Sequence, residues 1–352
     1  MNIVEKLGLK LLHRTDPENA HNLAIKALKY GMTPNLKFYT SKLLRQNIAG
    51  LDLLNPVGLA AGFDKNAEVI APLLNTGFGF IEVGAATPFP QEGNIKPRLF
   101  RLNEDYGSIN RFGFNNEGME IIANRLSKRP AKGIVGLNLG ANKNSSHRAI
   151  DFVKVLETCG EFIDFATVNV SSPNTEKLRD LQGEKALSAL LTGVMETRNK
   201  LKKKIPIFLK IAPDLTNEEI SKIAQVARHT RIDAIIATNT TLDRTNLKSK
   251  HQNQTGGLSG KPLFKKSTRV IAKLANELEG NIPIIGVGGI DSAEAAFEKI
   301  KAGASIIQLY TALVFHGLSL SYDIAKGLDE LLERNGYEHI SQAVGSAIED
   351  YL

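Results

Sequence analysis

From residue 56 onward, short apolar runs and helix-period segments alternate eight times. The apolar runs lie at 57–61, 79–84, 133–138, 163–170, 205–211, 233–238, 282–287 and 304–309. The helical segments lie at 66–75, 115–126, 147–158, 184–203, 216–229, 263–279 and 291–301, with a final one at 317–334. Runs such as 282–287 are apolar at successive positions and lack in/out alternation. A strand of that kind is buried on both faces, as in a parallel sheet covered by helices. The class is therefore α/β, and eight units point to a (β/α)8 TIM barrel with an N-terminal helical extension. A doubly wound open sheet has the same rhythm, because periodicity does not count closure. The stretch 85–132 reads as an insertion that adds small strands at the barrel mouth. The polar segment 243–256 reads as a mobile loop.

Two amphipathic segments precede the barrel. Ile3, Val4, Leu7, Leu11 and Leu12 fall at helical spacing beside Lys6 and Lys10. Asp16-Pro17 then opens a second helix, with Asp16 as cap and Pro17 at the first helical position. Ala20, Leu23, Ala24, Ala27 and Leu28 form its stripe, and Gly31 ends it. Residues 1–50 hold eight basic and three acidic side chains, a net +5 of the chain's +7. Basic amphipathic helices either lie on an anionic membrane surface or pack on the main domain, and both readings stand. Nucleic-acid binding is discounted, since neither aromatic interleaving nor a binding motif accompanies the charge. No apolar run is long enough to span a bilayer, and no cleavable signal pattern precedes the helices. The single cysteine, Cys159, rules out an internal disulfide and reads as a packed, inert thiol.

In a barrel the chemistry belongs at the C-terminal ends of the strands, and polar groups recur there. The first strand ends in Ala60-Ala61-Gly62-Phe63-Asp64-Lys65 and the second in Gly84-Ala85-Ala86-Thr87. Asn138, Asn169 with Ser172, Lys210, Thr238-Asn239-Thr240, Gly288-Gly289 and Tyr310-Thr311 follow on the later strands. Such convergence suits a planar polar ligand with many acceptors. The glycines after strand seven, with Tyr310-Thr311, fit the phosphate site of barrels, built from the last two loops. The run 169–175, Asn-Val-Ser-Ser-Pro-Asn-Thr, gathers two amides and two hydroxyls at one strand end. Burying them is costly without a ligand, and Ser172 is the candidate proton acceptor. Lys210 sits in an apolar strand, so its ammonium faces the interior and needs an anionic partner. It serves a reduced flavin, a Schiff base or a structural ion pair. Asn110-Arg111-Phe112-Gly113-Phe114-Asn115-Asn116, in the insertion, suits a small, flat, anionic substrate.

Three of these segments, at 61–65, 110–116 and 169–175, together with Lys96-Pro97-Arg98-Leu99-Phe100-Arg101, resemble the dihydroorotate dehydrogenase family, and the likeness covers nearly the whole chain. Ser172 stands where the soluble class has cysteine, as in the membrane-associated, quinone-reducing class, whose N-terminal extension lines a quinone tunnel. The resemblance implies FMN in the barrel mouth, with dihydroorotate stacked on its ring. The substrate loses hydride from C6 to flavin N5 and a proton from C5 to Ser172, giving orotate for de novo pyrimidine synthesis. Implied cofactor contacts are Ala61, Gly62, Phe63, Asp64, Lys65, Ala85, Asn138, Asn169, Lys210, Thr238, Gly260, Gly289, Tyr310 and Thr311. Implied substrate contacts are Lys65, Asn110, Arg111, Phe112, Gly113, Phe114, Asn169, Asn174, Asn239 and Thr240; no metal is expected. Electrons then pass to ubiquinone or a related quinone. Residues 1–45 become the quinone-tunnel segment and 46–352 the FMN barrel, held peripherally on the cytoplasmic face of the inner membrane. Three departures stand out: Ala85 replaces a usual threonine, Glu176-Lys177 replaces a small residue and glycine, and Phe112 replaces a smaller side chain.

Overall fold

A computed structural model describes residues 3–32, 38–175 and 178–352. Helices α1 (Ile3–His13) and α2 (Pro17–Lys29) come first. The Asp16 carboxylate accepts from the amides of Glu18 and Asn19 at 3.1 and 3.0 Å, and Pro17 needs no donor partner at the first turn. A hairpin of β1 (Gln46–Ile48) and β2 (Leu51–Leu53) follows. The remaining strands are β3 (Val57–Leu59), β4 (Phe80–Ala86), β5 (Leu99–Leu102), β6 (Gly107–Asn110), β7 (Ile134–Leu139), β8 (Phe165–Asn169), β9 (Ile207–Ile211), β10 (Ala234–Ala237), β11 (Gly257–Gly260), β12 (Ile284–Val287) and β13 (Ala304–Leu309). Eight of them close in the order β3-β4-β7-β8-β9-β10-β12-β13, all pairs parallel. The barrel reading holds, and the open sheet is excluded because β13 pairs with β3.

The floor of the barrel is aromatic. Phe80, Phe165, Phe208, Ile236, Ile285 and Ile306 form one buried cluster with Ile48 and Leu53, so the β1–β2 hairpin plugs the end away from the site. Phe165 and Phe208 stack at 4.8 Å between centroids. Gly136 makes room for this layer, since a Cβ there would lie 2.1 Å from the Phe165 ring. Around the barrel run α3 (Ile70–Leu74), α4 (Met119–Leu126), α5 (Arg148–Cys159), α6 (Glu184–Lys200), α7 (Asn217–Thr230), α8 (Phe264–Leu278), α9 (Ala293–Lys301), α10 (Ala312–His316) and α11 (Leu320–Arg334). The final helix expected at 317–334 is α11, and a short helix that was not expected, α10, precedes it and ends at Gly317, whose φ is +75°. Cys159 is buried on α5, where burial pushes its thiol up to about 12 and keeps it protonated.

The insertion does carry small strands. β5 and β6 pair antiparallel, but a third strand, β11, joins them from beyond the sixth barrel strand. Sequence reading left β11 inside a loop, because four residues with two glycines carry no alternation. The adjoining segment 243–256 is tied down rather than free. Asp105 accepts from the amides of Lys248 and Ser249 at 2.9 and 3.0 Å, and the Arg244 guanidinium donates to Gln254 and Gly256 carbonyls. Glu176 and Lys177 lie outside the described residues.

The N-terminal helices meet the barrel at its mouth. Ile25 and Leu28 of α2 belong to the main buried core. Glu18 of α2 receives the Arg98 guanidinium at 2.8 Å, both side chains nearly buried. Burial raises the Glu18 pKa, but the Arg98 hydrogen bonds and charge outweigh it and hold the carboxyl below its ordinary range. Breaking such a pair from one side strands a buried charge and costs about 3–5 kcal/mol. The outer faces are different: Leu7, Leu11, Leu23, Tyr30 and Met32 are largely exposed.

Candidate active site

One continuous cavity of about 880 Å³ runs from the mouth of the barrel to the space between α1 and α2. Its inner half is polar. Glu82, fully buried on β4, accepts from Asn138 Nδ2 and Gln308 Nε2, both at 2.7 Å. Asn138 Oδ1 receives Asn169 Nδ2 at 2.9 Å, and Asn169 Oδ1 receives Asn239 Nδ2 at 3.2 Å. Asn239 also donates to Ser171 Oγ at 3.0 Å. A file of hydrogen bonds thus fixes four amide or carboxylate groups from β4, β7, β8 and the end of β10. Lys210 lines the same cavity from β9. Burial pushes its ammonium below the ordinary lysine range, and the Glu82 charge partly restores it. No hydrogen bond to another described residue satisfies that ammonium, which therefore faces the cavity in need of an acceptor.

Ser172 lines the cavity just past β8 and is 7 % exposed. Its Oγ accepts from the Asn174 amide at 3.3 Å. Asn174 Nδ2 in turn donates to Asn110 Oδ1 at 3.2 Å, joining the loop after β8 to the end of β6. Arg179 holds that loop down, donating to the Ser171 and Thr240 carbonyls at 3.1 and 3.0 Å and to Asp214 at 3.1 Å. The Thr175 hydroxyl is buried and has no hydrogen-bond partner among the described residues.

At the other rim, Gly288 and Gly289 follow β12 with φ of +118° and +75°. Only glycine fits at 289, where a Cβ would stand 2.8 Å from the Phe264 amide nitrogen. Gly260, Leu263 and Thr311 line the same end. Thr311 Oγ1 donates to Ser259 Oγ at 2.8 Å.

Lys65 reaches in from the end of β3. Its Nζ donates to the Gly62 carbonyl at 2.8 Å and lies 4.6 Å over the Phe112 ring. Burial pushes this lysine down to about 8, with Glu18 opposing the shift in part. His21 of α2 bridges the seam, 3.5 Å from Lys65 Nζ and 3.3 Å from the Tyr310 hydroxyl. Burial and the neighbouring Lys65 hold His21 well below the usual imidazole range, so it stays neutral.

Most of the expected contacts converge. Ala61, Gly62, Phe63, Lys65, Ala85, Asn110, Phe112, Gly113, Phe114, Asn138, Asn169, Ser172, Asn174, Lys210, Thr238, Asn239, Thr240, Gly260, Gly289, Tyr310 and Thr311 all line the cavity. Two do not. The Asp64 carboxylate is buried behind the mouth and accepts from the Glu68 and Val69 amides at 2.8 Å, capping the approach to α3. Arg111 turns away over the Phe100 ring and holds Gln254, Thr255 and Pro97, so its role is to pin the 243–256 segment. Sequence reading missed Glu82 and Gln308, although lone polar residues in apolar strands were visible signals. It also missed His21, Arg101, Ser108 and Ser259, whose roles depend on contacts across the fold.

The amide file, the Lys210 ammonium facing the cavity and the glycine rim make a polar barrel-mouth site of the kind that suits a flat cofactor of an oxidoreductase. A family-wide sequence profile described as Dihydroorotate dehydrogenase matches residues 43–332. A protein of Cereibacter sphaeroides named Dihydroorotate dehydrogenase (quinone) is 57 % identical over all of both chains. One of the same name from Agrobacterium fabrum is 49 % identical over 99 % of this chain and 97 % of its own. The crystal structure of dihydroorotate dehydrogenase from Eimeria tenella in complex with ferulenol superposes with a TM-score of 0.91 at 36 % identity, covering 94 % of this chain and 95 % of that one. The chain belongs to the dihydroorotate dehydrogenase family, whose members use a flavin. Family membership leaves the Schiff-base reading of Lys210 without support.

Proposed function

We propose that this chain is a dihydroorotate dehydrogenase of the quinone-reducing kind, with FMN as its flavin. One observation carries the reading: a single cavity joins the amide-lined barrel mouth to the apolar space between α1 and α2. A two-electron donor and a lipid-soluble acceptor then reach one cofactor from different sides. A flavin held in the mouth would supply the hydride acceptor for C6 of dihydroorotate and the reducing electrons for ubiquinone or a related quinone.

The chain's own groups do the rest. The Gly288–Gly289 turn and Thr311 take the phosphate end. The Lys210 ammonium would stabilise negative charge developing on a flavin held in the cavity. Asn110, Asn169, Asn174 and Asn239 hold the pyrimidine imide, and Lys65 holds its carboxylate. Ser172 takes the C5 proton, relayed by neighbouring hydroxyls or water while the loop after β8 excludes solvent. Residues 1–45 form the quinone-delivering segment and 46–352 the FMN barrel. The exposed Leu7, Leu11, Leu23, Tyr30 and Met32 and the basic N-terminus suit contact with an anionic membrane surface. No helix among the described residues is long and apolar enough to cross one. The proposal includes peripheral attachment on the cytoplasmic face of the inner membrane, through the N-terminal helices.

The decisive experiment is anaerobic mixing of purified yellow protein with dihydroorotate. Bleaching of the flavin bands, reversed by a quinone, is expected; a colourless protein or an unbleached flavin sinks the reading. The pH dependence is specific. Lys65 is charged below about 8 and loses its proton above it, so carboxylate binding weakens as pH rises through that value. The kcat/KM for dihydroorotate should fall on the alkaline side while kcat at saturation falls less. Lys65→Arg should move that fall to higher pH.

A further inference from the structure

Lys299, on α9, is fully buried. Its ammonium donates to the Phe264 carbonyl at 3.0 Å and to Ser267 Oγ, and it lies 4.6 Å from the centre of the Phe264 ring. Ser267 Oγ, with one proton to give, lies 3.0, 3.1 and 3.1 Å from the Leu263, Phe264 and Gly288 carbonyls. The lysine is therefore one hydroxyl behind the glycine turn that lines the cavity. No carboxylate among the described residues pairs with it. Phe264 is the first residue of α8, a helix of 15 residues, so the ammonium sits at the positive end of a helix dipole. Burial drives the ammonium well below the ordinary lysine range, and Glu298 beside it offsets this only in part. A buried cation at a helix N-terminus, without a carboxylate partner, is unfavourable unless an anion shares the site. Gly288, on the far side of Ser267, lines the cavity with Gly260, Leu263 and Gly289.

We propose that Lys299 is a positioning residue for the flavin phosphate: through Ser267 and the Gly288–Gly289 turn it supplies the charge that makes the site select a phosphorylated flavin over riboflavin. The inference rests on the reading of FMN as the cofactor. A lysine that merely ties α9 to α8 makes the same hydrogen bonds but does not distinguish the two flavins.

The test is apoprotein prepared from the purified holoenzyme and titrated with FMN and with riboflavin, following flavin fluorescence. In Lys299→Met, FMN affinity should fall about tenfold or more while riboflavin affinity stays within about twofold. Lys299→Gln, whose amide still donates, should behave alike. Equal losses for both flavins, or none, overturn the proposal. Wild-type apoprotein with no preference for FMN over riboflavin sinks the FMN reading instead. A measurement without any variant adds a second check. The phosphorus resonance of bound FMN should keep its dianion position down to about pH 5, although a free phosphate monoester protonates near about pH 6. Protonation of the bound phosphate at its solution value overturns the proposal.

Discussion

Ser172→Ala should slow reduction of the flavin by dihydroorotate by roughly 10²- to 10⁴-fold, with flavin content and thermal stability unchanged. The substitution removes one hydroxyl at a nearly buried position and leaves the packing of β8 intact. Among the described residues, the hydrogen bond lost is the one from the Asn174 amide. A serine is an intrinsically weak base, and no carboxylate or imidazole among the described residues hydrogen-bonds to its Oγ. The proton therefore has to move on to a neighbouring hydroxyl or water. Stopped-flow absorbance at the flavin bands reads the step directly. A variant as fast as wild type rules out Ser172 as the proton acceptor. Ser172→Cys should retain part of the rate, with a pH profile shifted toward the thiol ionisation near about 8.5.

Deleting residues 1–14, which carry α1, should lower quinone-linked kcat/KM by roughly 10²-fold or more while a soluble dye is still reduced at near wild-type rate. Gly8, Leu9, Leu12 and His13 of α1 wall the outer part of the cavity. His13 Nε2 lies 2.7 Å from the Val314 carbonyl, and Arg101 donates to the His13 carbonyl at 3.1 Å. The cut must stop before α2. A deletion through residue 40 removes Glu18 from Arg98 and strips Ile25 and Leu28 from the core. Such a protein would lose stability together with the quinone reaction. Steady-state assays with a quinone and with a dye, run on the same preparation, separate the effects. Equal loss of both activities would show that α1 supports the barrel rather than the acceptor path. Sedimentation with anionic vesicles checks the membrane reading, since the deletion also removes the exposed Leu7 and Leu11.

Much of the barrel was legible because its strands are short, apolar on both faces and separated by helix-period segments. Closure was not, because the β13–β3 pairing joins residues some 250 positions apart and leaves no mark on local periodicity. The same limit explains β11, which becomes a strand only when β6 lies beside it. Polar residues at strand ends identified the inner part of the cavity wall, while the outer part comes from α1, α2 and α10. Asp64 and Arg111 belong to the same motifs, yet they face backbone amides and a neighbouring loop, since adjacent residues at a strand end point in different directions. Glu82 and Gln308 were readable as lone polar groups in apolar strands, but their partnership with Asn138 exists only across the barrel.

Residue order alone determined the α/β alternation, the amphipathic N-terminal pair and the identity of the chemical groups, since each depends on side chains a few positions apart. Tertiary structure decided which of those groups meet: the joining of mouth and helices into one cavity, the neutral His21 between Lys65 and Tyr310, and the buried ammonium behind the glycine turn. Burial and charge neighbours set protonation and reach, and both arise only when distant strands close around a common axis.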